Sequence, residues 1–479
     1  MYDVIVVGAG SAGCALAGRL APRLPGSVLL VEAGTGALAT ADVGSLAATA
    51  PGHSRNWAHP AELAPGIPAV VPRGRGVGGS GAINAAVWTY VTPADAADWD
   101  QPGWGYPALR YWYAVAEREG QYASDGPIPV VVPSGELLHP SAERFLAAAE
   151  ALGFPGEPHK NAGGPPGAGL MPSNSRHGLR IDAARAYLPR PLPLGAQRIV
   201  EPRGPAVRAD ATVERVLVER GRAVGVELAG GERIPTGEVV LCAGAVGTPR
   251  ILLRSGIGPA DALRAAGVAA HADLPVGRGW SDHPAVFLPF RTDDPPPHPH
   301  APTAQAALHW DAGADPAGDV EVLLFTRPFV DGGDLHLMCA LQQPDSRGVL
   351  DLDRISYGYL RTEHDRRRLR HAIRTAADLL RAVLGARVEP DGHVLGSDRA
   401  LDGWIAAHLT TAQHLCGTTA MGPGGAVDPE LRVHGLERLR IVDLSVLPVA
   451  PRRGTAATAV AIGEAGAEFL GVQPADAAG

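Results

Sequence analysis

The chain has 479 residues, 46% hydrophobic and 19% charged, with 61 glycines and 44 prolines. That length exceeds what one hydrophobic core usually serves, so two units able to bury a large cofactor are expected, and disorder of the whole is excluded. Forty-two basic against 50 acidic residues give a net charge of −8, with no basic run interleaved with aromatics, which argues against a nucleic-acid partner.

The chain opens with "YDVIVVGAGSAGCALAGRL". An apolar run from Tyr2 to Val7 reads as a buried strand, leading into G-x-G-x-x-G at Gly8, Gly10 and Gly13 and then an Ala- and Leu-rich helix. Gly8 permits the tight turn, Gly10 lets the backbone approach a pyrophosphate, and Gly13 lets the helix pack on the strand. Ser11 and Ala12 open the helix, whose N-terminal N–H groups suit an anion. A second strand, "SVLLVEAG", ends in Glu32 and Ala33, with Glu32 19 positions after Gly13, where a carboxylate can accept from a ribose and favours FAD or NAD over NADP. A strand that begins at the second residue leaves no room for a cleavable secretory segment, and no apolar run approaches the ~20 residues of a membrane span. A cytoplasmic location is expected, with contact at a membrane surface left open. Cys14, Cys242, Cys339 and Cys416 lack C-x-x-C spacing, which fits a reducing compartment and argues against disulfides or a thiolate metal site.

Next comes "RGRGVGGSGAINAAVW", Arg73 to Trp88. Gly76, Gly78 and Gly79 give a side-chain-poor backbone able to lie against a planar ring, and Asn84 offers an amide that can donate and accept at its edge. Trp99, Trp104 and Tyr113 follow. Further on stand "RADATVERVLVERGRAVGVEL", containing Val213, then "GAVGTPRILLRSGIGPADALRAAGV" directly after Ala243, and "LPVGRGWSDHP". The stretch with "DDPPPHPHAP" reads as a solvated loop, and His298 and His300 within it are too few for a metal site; no metal is expected. His283 and His434 sit in turn-like contexts suited to structural hydrogen bonds. The C-terminal third carries "HLCGTTAMGP", beginning at His414, and "LRIVDLSVLP", Leu439 to Pro448.

Taken in order, these segments resemble the glucose-methanol-choline (GMC) oxidoreductases from residue 2 to about residue 470. The resemblance implies an α/β protein in which a Rossmann-like FAD-binding domain of the p-hydroxybenzoate-hydroxylase/GMC type is interleaved with an α+β substrate-binding domain having an antiparallel sheet. Residues 1–120, 205–283 and 406–479 would form the first, and 121–204 and 284–405 the second. It implies a cofactor-binding set of Gly8, Gly10, Ser11, Ala12, Gly13, Glu32, Ala33, Gly76, Gly78, Gly79, Asn84, Val213, Ala243, Asp443, Leu444, Gly454 and Thr455, with Val213 touching the adenine through its backbone. Family members that hold flavin covalently do so through a His where this chain has Ile83, so FAD is expected to be non-covalent.

The same resemblance returns the tail to the first sheet, starts the last helix at the flavin and places His414 over its reactive nitrogen. Half a positive charge at that helix N-terminus would favour the anionic reduced flavin. Oxidising an alcohol needs the hydroxyl proton removed as hydride leaves the carbon, and imidazole has the pKa for it. The family's second His or Asn falls on Gly454, ten positions before Glu464; Arg452 or Arg453 is the nearest replacement, with Arg453 the candidate for stabilising an alkoxide. The "R-G" at Arg453, with "GPIPV" and "LPVGRGWSDHP", is similar to the branch associated with mycofactocin redox chemistry. The expected donor is a small-molecule or peptide-derived alcohol, and the acceptor a quinone, a protein or oxygen. A lyase keeping the flavin architecture, a peroxide-forming oxidase, and a NAD enzyme or flavin binder without turnover remain alternatives.

Overall fold

Val4, Ile5, Val6 and Val7 are all buried, as a central parallel strand requires, and β-branching holds the run extended. The computed structural model describes residues 2–118, 125–189, 204–329, 333–384 and 389–471; the Pro-rich "RPLPLGAQ" lies outside them. Tyr2–Val7 sits inside a seven-stranded sheet, parallel to Val28–Val31 on one side and Arg233–Leu241 on the other. Ala206–Arg208 extends one edge, and the antiparallel strands Arg222–Leu228 and Val213–Glu219 the other. Leu439–Ile441 also pairs in parallel with Arg233–Leu241, so the tail does return to the sheet with which the chain begins. Helices Ser11–Leu20 and Ala456–Phe469 pack closely on each other; a Cβ at Gly463 would lie 2.5 Å from the Ala12 carbonyl oxygen.

A six-stranded antiparallel sheet follows the order Thr410–Thr411, Pro284–Phe290, Leu335–Leu341, Val320–Phe325, Ala304–Trp310, Ala168–Leu170. Residues opposite one another share a face. The register therefore sets Ala285, Ala340, Glu321 and His309 in one row, and Phe287, Met338, Leu323 and Ala307 in the next. On the other face, Val322, Leu324, Leu337 and Cys339 join the main core beneath helices Pro140–Ala151 and Glu363–Leu384.

Nothing in the sequence pattern announced a third sheet. Its five strands, Arg278–Trp280, Gly348–Leu350, Ile355–Ser356, His59–Ala64 and Ile67–Val71, are short and come from three distant segments. Among the described residues no helix is long and apolar enough to cross a membrane. All four cysteines are free and buried.

Candidate active site

A cavity of about 1610 Å³ is lined by residues of both large sheets. Ordinary small-molecule pockets occupy ~300–1,000 Å³, so this one has room for a large cofactor and a second molecule. Gly8, with φ of +104°, makes its turn where a Cβ would lie 2.5 Å from the Cys242 carbonyl oxygen. Gly10, by contrast, would direct a Cβ into open space, which leaves its backbone bare to the cavity. Gly79 packs on it, with a hypothetical Cβ 2.7 Å from the Gly10 Cα. Gly8, Gly10, Ser11, Ala12, Glu32, Ala33, Gly79, Asn84, Val213, Ala243, Asp443, Leu444, Gly454 and Thr455 all line the cavity. Gly13, Gly76 and Gly78 stand behind this wall and shape it.

Glu32 does more than the ribose reading assigned to it. Its Oε2 accepts the Ala9 N–H, and its Oε1 accepts those of Gly34 and Gly76, each at 2.9 Å. The carboxylate thus ties both glycine stretches together, leaving about one of its four acceptor positions for a sugar hydroxyl. Asp443 is likewise a clamp: Oδ2 accepts from Gly244 N–H and the Thr248 hydroxyl, and Oδ1 from Ser445 N–H. Burial pushes its pKa up against those bonds. Asn84 spends its Oδ1 on the Ala86 N–H at 2.9 Å, so its NH2 is the half left to donate. An open glycine backbone at a helix N-terminus, an acid at the end of the second strand and the size of the cavity together fit FAD. Ile83 lines the same cavity and offers no atom for a flavin bond.

His414 lines this cavity too, although the sequence separates it from Gly8 by most of the chain. Its Nδ1 lies 2.9 Å from Nδ1 of His283. Asp282 holds both residues, its Oδ1 accepting the N–H of His283 at 2.8 Å and of His414 at 2.7 Å, while Oδ2 accepts the Thr411 hydroxyl at 2.6 Å. Burial, with the Arg73 guanidinium second, lowers the His414 pKa to about 4. Arg73 is kept close by donating to Gln413 Oε1. Burial, then His414, pushes His283 well below the imidazole range, against the pull of the Pro451 and Gln342 carbonyls facing its ring. Nε2 of His283 makes no hydrogen bond of normal geometry, but those carbonyls accept only from a protonated nitrogen.

A Cβ at Gly454 would sit 3.9 Å from His414 Nε2 and 3.2 Å from the Thr89 hydroxyl. The bare position the sequence identified is therefore beside the imidazole. The arginines do not fill it. Arg453 does not line the cavity: its buried guanidinium turns away, donating to the Arg452 carbonyl at 3.0 Å and facing Glu157 at 3.5 Å. A cation so deep goes where acceptors are, and this corrects its assignment to the reacting centre. Arg452 is bound by Asp95 at 2.8 Å, Asp98 at 2.7 Å and Asp315. His434 meets the Gly422 carbonyl at 3.0 Å, a structural role. Among the described residues no cluster of His, Cys, Asp or Glu could hold a metal. His283, read as a turn residue, and Glu321, a cavity-lining carboxyl, were missed, because only the fold sets His283 against His414 and Glu321 in the cavity wall.

The GMC oxidoreductase family models match residues 2–285 and 341–463. An uncharacterised GMC-type oxidoreductase of Rhodococcus erythropolis is 32% identical over 98% of each chain. The oxygen-dependent choline dehydrogenase of Vibrio vulnificus is 29% identical over 98% of this chain and 94% of its own. Among solved structures, pyridoxine 4-oxidase from Mesorbium loti superposes with a TM-score of 0.88 at 29% identity, covering 99% of this chain and 100% of its own. Formate oxidase, at 22% identity and a TM-score of 0.85 over 98% of each chain, shares the fold. With glycine cradle, returning tail and full-length matches in agreement, the chain belongs to the GMC oxidoreductase family of FAD-dependent enzymes.

Proposed function

We propose that the enzyme oxidises the CH–OH group of an alcohol, with His414 Nε2 as the base that takes the hydroxyl proton. The observation that carries this is the imidazole pair. With the Pro451 and Gln342 carbonyls, which pull the His283 pKa up, taken as acceptors for its Nε2 proton, its Nδ1 is bare. Nδ1 of His414 must then donate across the 2.9 Å contact, which leaves Nε2 with a free lone pair beside Gly454. Burial keeps that nitrogen unprotonated at neutral pH. Gly454 leaves room for the hydroxyl, and Phe287, Leu323 and Met338 form an apolar wall of the same cavity. Bound FAD supplies the acceptor for the hydride that leaves the carbinol carbon. The relatives named choline dehydrogenase and pyridoxine 4-oxidase support an alcohol donor.

Three finer readings belong with this. FAD is dissociable, since Ile83 replaces the residue that would bind it. Residues 1–120, 205–283 and 406–479 act as the cofactor unit and 121–204 and 284–405 as the substrate unit; the strands of the first sheet fall in the former, and all of the second sheet but Thr410–Thr411 in the latter. A peptide-derived redox carrier as donor, with a quinone or protein as acceptor, rests on the resemblance of Arg453–Gly454, "GPIPV" and "LPVGRGWSDHP" to one branch of the family. Anaerobic mixing with a panel of primary alcohols tests the main reading: flavin bleaching supports it, and turnover with a persistent oxidised spectrum would make the protein a lyase instead. Remixing the reduced enzyme with oxygen or a quinone analogue identifies the acceptor.

A further inference from the structure

The second sheet carries a buried ionisable chain that the chemistry above does not use. Lys160 donates to Glu157 Oε2 at 2.6 Å, to the Gly167 carbonyl at 2.7 Å and to Nδ1 of His309 at 3.0 Å. Three acceptors consume its three N–H bonds. Burial, then Arg453 and Lys160, push the His309 pKa well down, so its ring is neutral. With Nδ1 accepting, its single proton is on Nε2, and this is donated to Glu321 Oε2 at 2.7 Å. Every hydrogen bond in the chain runs the same way, from the ammonium outwards, and Glu321 ends it as an acceptor.

Glu321 is also the member of that chain that lines the cavity. Its Oε1 takes no hydrogen bond of normal geometry among the described residues; the Gln342 amide lies against the carboxyl but makes none either. Around it the sheet face is apolar, with Phe287, Leu323, Phe325 and Met338. In the row Ala285, Ala340, Glu321, two alanines keep the floor clear. Glu321 is two strands from Ala285, roughly 10 Å, and Ala285 follows closely on His283, which orients His414. That span is the length of a small aromatic or alkyl alcohol.

We propose that Glu321 is the specificity-determining residue of the donor pocket: its free oxygen accepts a hydrogen bond from an N–H or O–H carried at the far end of the alcohol. This rests on the reading of the cavity before His414 as the alcohol pocket. A carboxyl so buried, with its pKa raised to about 7 by desolvation despite Arg453 and Lys160, gains from a donor that replaces lost water. Selectivity follows because an alcohol lacking the donor leaves the oxygen with only the poorly aligned Gln342 amide against it.

The polarity of the chain gives the test. In Glu321→Gln the amide must turn its oxygen to the His309 N–H, so its NH2 faces the cavity, and an acceptor becomes a donor at almost constant shape. Calorimetric binding to the FAD-loaded enzyme at pH 8 compares 4-(aminomethyl)benzyl alcohol with methyl 4-(hydroxymethyl)benzoate. Wild type should bind the amine at least tenfold more tightly, and Glu321→Gln should shift the ratio at least tenfold towards the ester. An unchanged ratio, or no measurable binding of either compound by wild type, overturns the proposal. If the variant does not fold, a wild-type ratio near one overturns it alone. Alcohols that still reduce the flavin in a His414-dependent way would leave the proposed function standing while the role of Glu321 falls.

Discussion

His283 and His414 meet edge to face, with ring planes 79° apart and their Nδ1 atoms 2.9 Å from each other. One contact couples the two tautomers, because two neutral imidazoles can share a proton at Nδ1 only if one donates and the other accepts. Asp282 holds the pair in register through the two backbone N–H groups, so the orientation of the proposed base is built from residues 131 positions apart in sequence.

Replacing His414 with Ala should leave FAD bound, since the glycine cradle and the Glu32 clamp are untouched. Anaerobic flavin reduction by an alcohol substrate should slow by roughly 10²–10⁴-fold, the usual worth of a positioned base. Stopped-flow absorbance measures this directly, and bleaching at the native rate would remove His414 from the mechanism.

His283→Ala should act through orientation. Without the acceptor at Nδ1, the His414 ring is free to carry its proton on Nε2, the nitrogen that must accept. The expected loss is roughly fivefold in the reduction rate, the worth of one hydrogen bond of about 1 kcal/mol, with substrate affinity little changed. A change in affinity with the rate preserved would assign His283 to the pocket wall.

The pH profile follows from the His414 value of about 4, lowered by burial and then by Arg73. A base works when unprotonated, and a lowered pKa extends that form to lower pH. The reduction rate should therefore be flat through pH 6.5, where a free imidazole would titrate, and fall as pH drops through about 4. Double-mixing stopped flow, with brief exposure to acid, separates this limb from unfolding. A limb centred near 6.5 that persists in Glu321→Gln, which removes the cavity carboxyl raised to about 7, would show that the base is solvated.

The opening strand, the glycine turn and the returning tail were legible because each is local: an apolar run bounded by glycines, or a strand followed by a helix. His414 was legible through its resemblance, and Gly454 through a count from Glu464. What could not be read was who faces whom across strands. His283 stood in a turn-like motif, and only the pairing of Ala285 with Ala340 and Thr410 brings its neighbourhood beside residue 414. Glu321 occupies an ordinary position in the strand "VEVLLF", and its role depends on His309 in the next strand. Arg453 showed the converse failure: sequence adjacency to Gly454 suggested the reacting centre, while buried acceptors drew its side chain elsewhere.

Ile83 gives a chemical prediction. Acid precipitation of the purified holoenzyme should leave the yellow chromophore in the supernatant, because the buried side chain that lines the cavity there is a hydrocarbon. A coloured pellet would require attachment through some other residue.

Gly13 and Gly10 separate packing from cofactor binding within a single turn. A Cβ at Gly13 would lie 2.0 Å from the carbonyl oxygen of Gly8 and 3.1 Å from Cβ of Cys242. Neither neighbour can yield easily: Gly8 is already at φ +104° against Cys242, and the helix is backed by Ala456–Phe469 through the Ala12–Gly463 contact. Gly13→Ala should therefore cost about 1–3 kcal/mol or more of stability in the apoprotein, as overpacking does, and displace the helix N-terminus that faces the cofactor. Gly10→Ala places its methyl in open cavity, so the apoprotein should unfold at the wild-type temperature while FAD occupancy falls. Thermal unfolding of apo and holo forms decides: a Gly10→Ala protein that keeps full flavin would mean the cofactor backbone does not pass over Gly10, and a Gly13→Ala protein of native apo stability would mean the turn can relax.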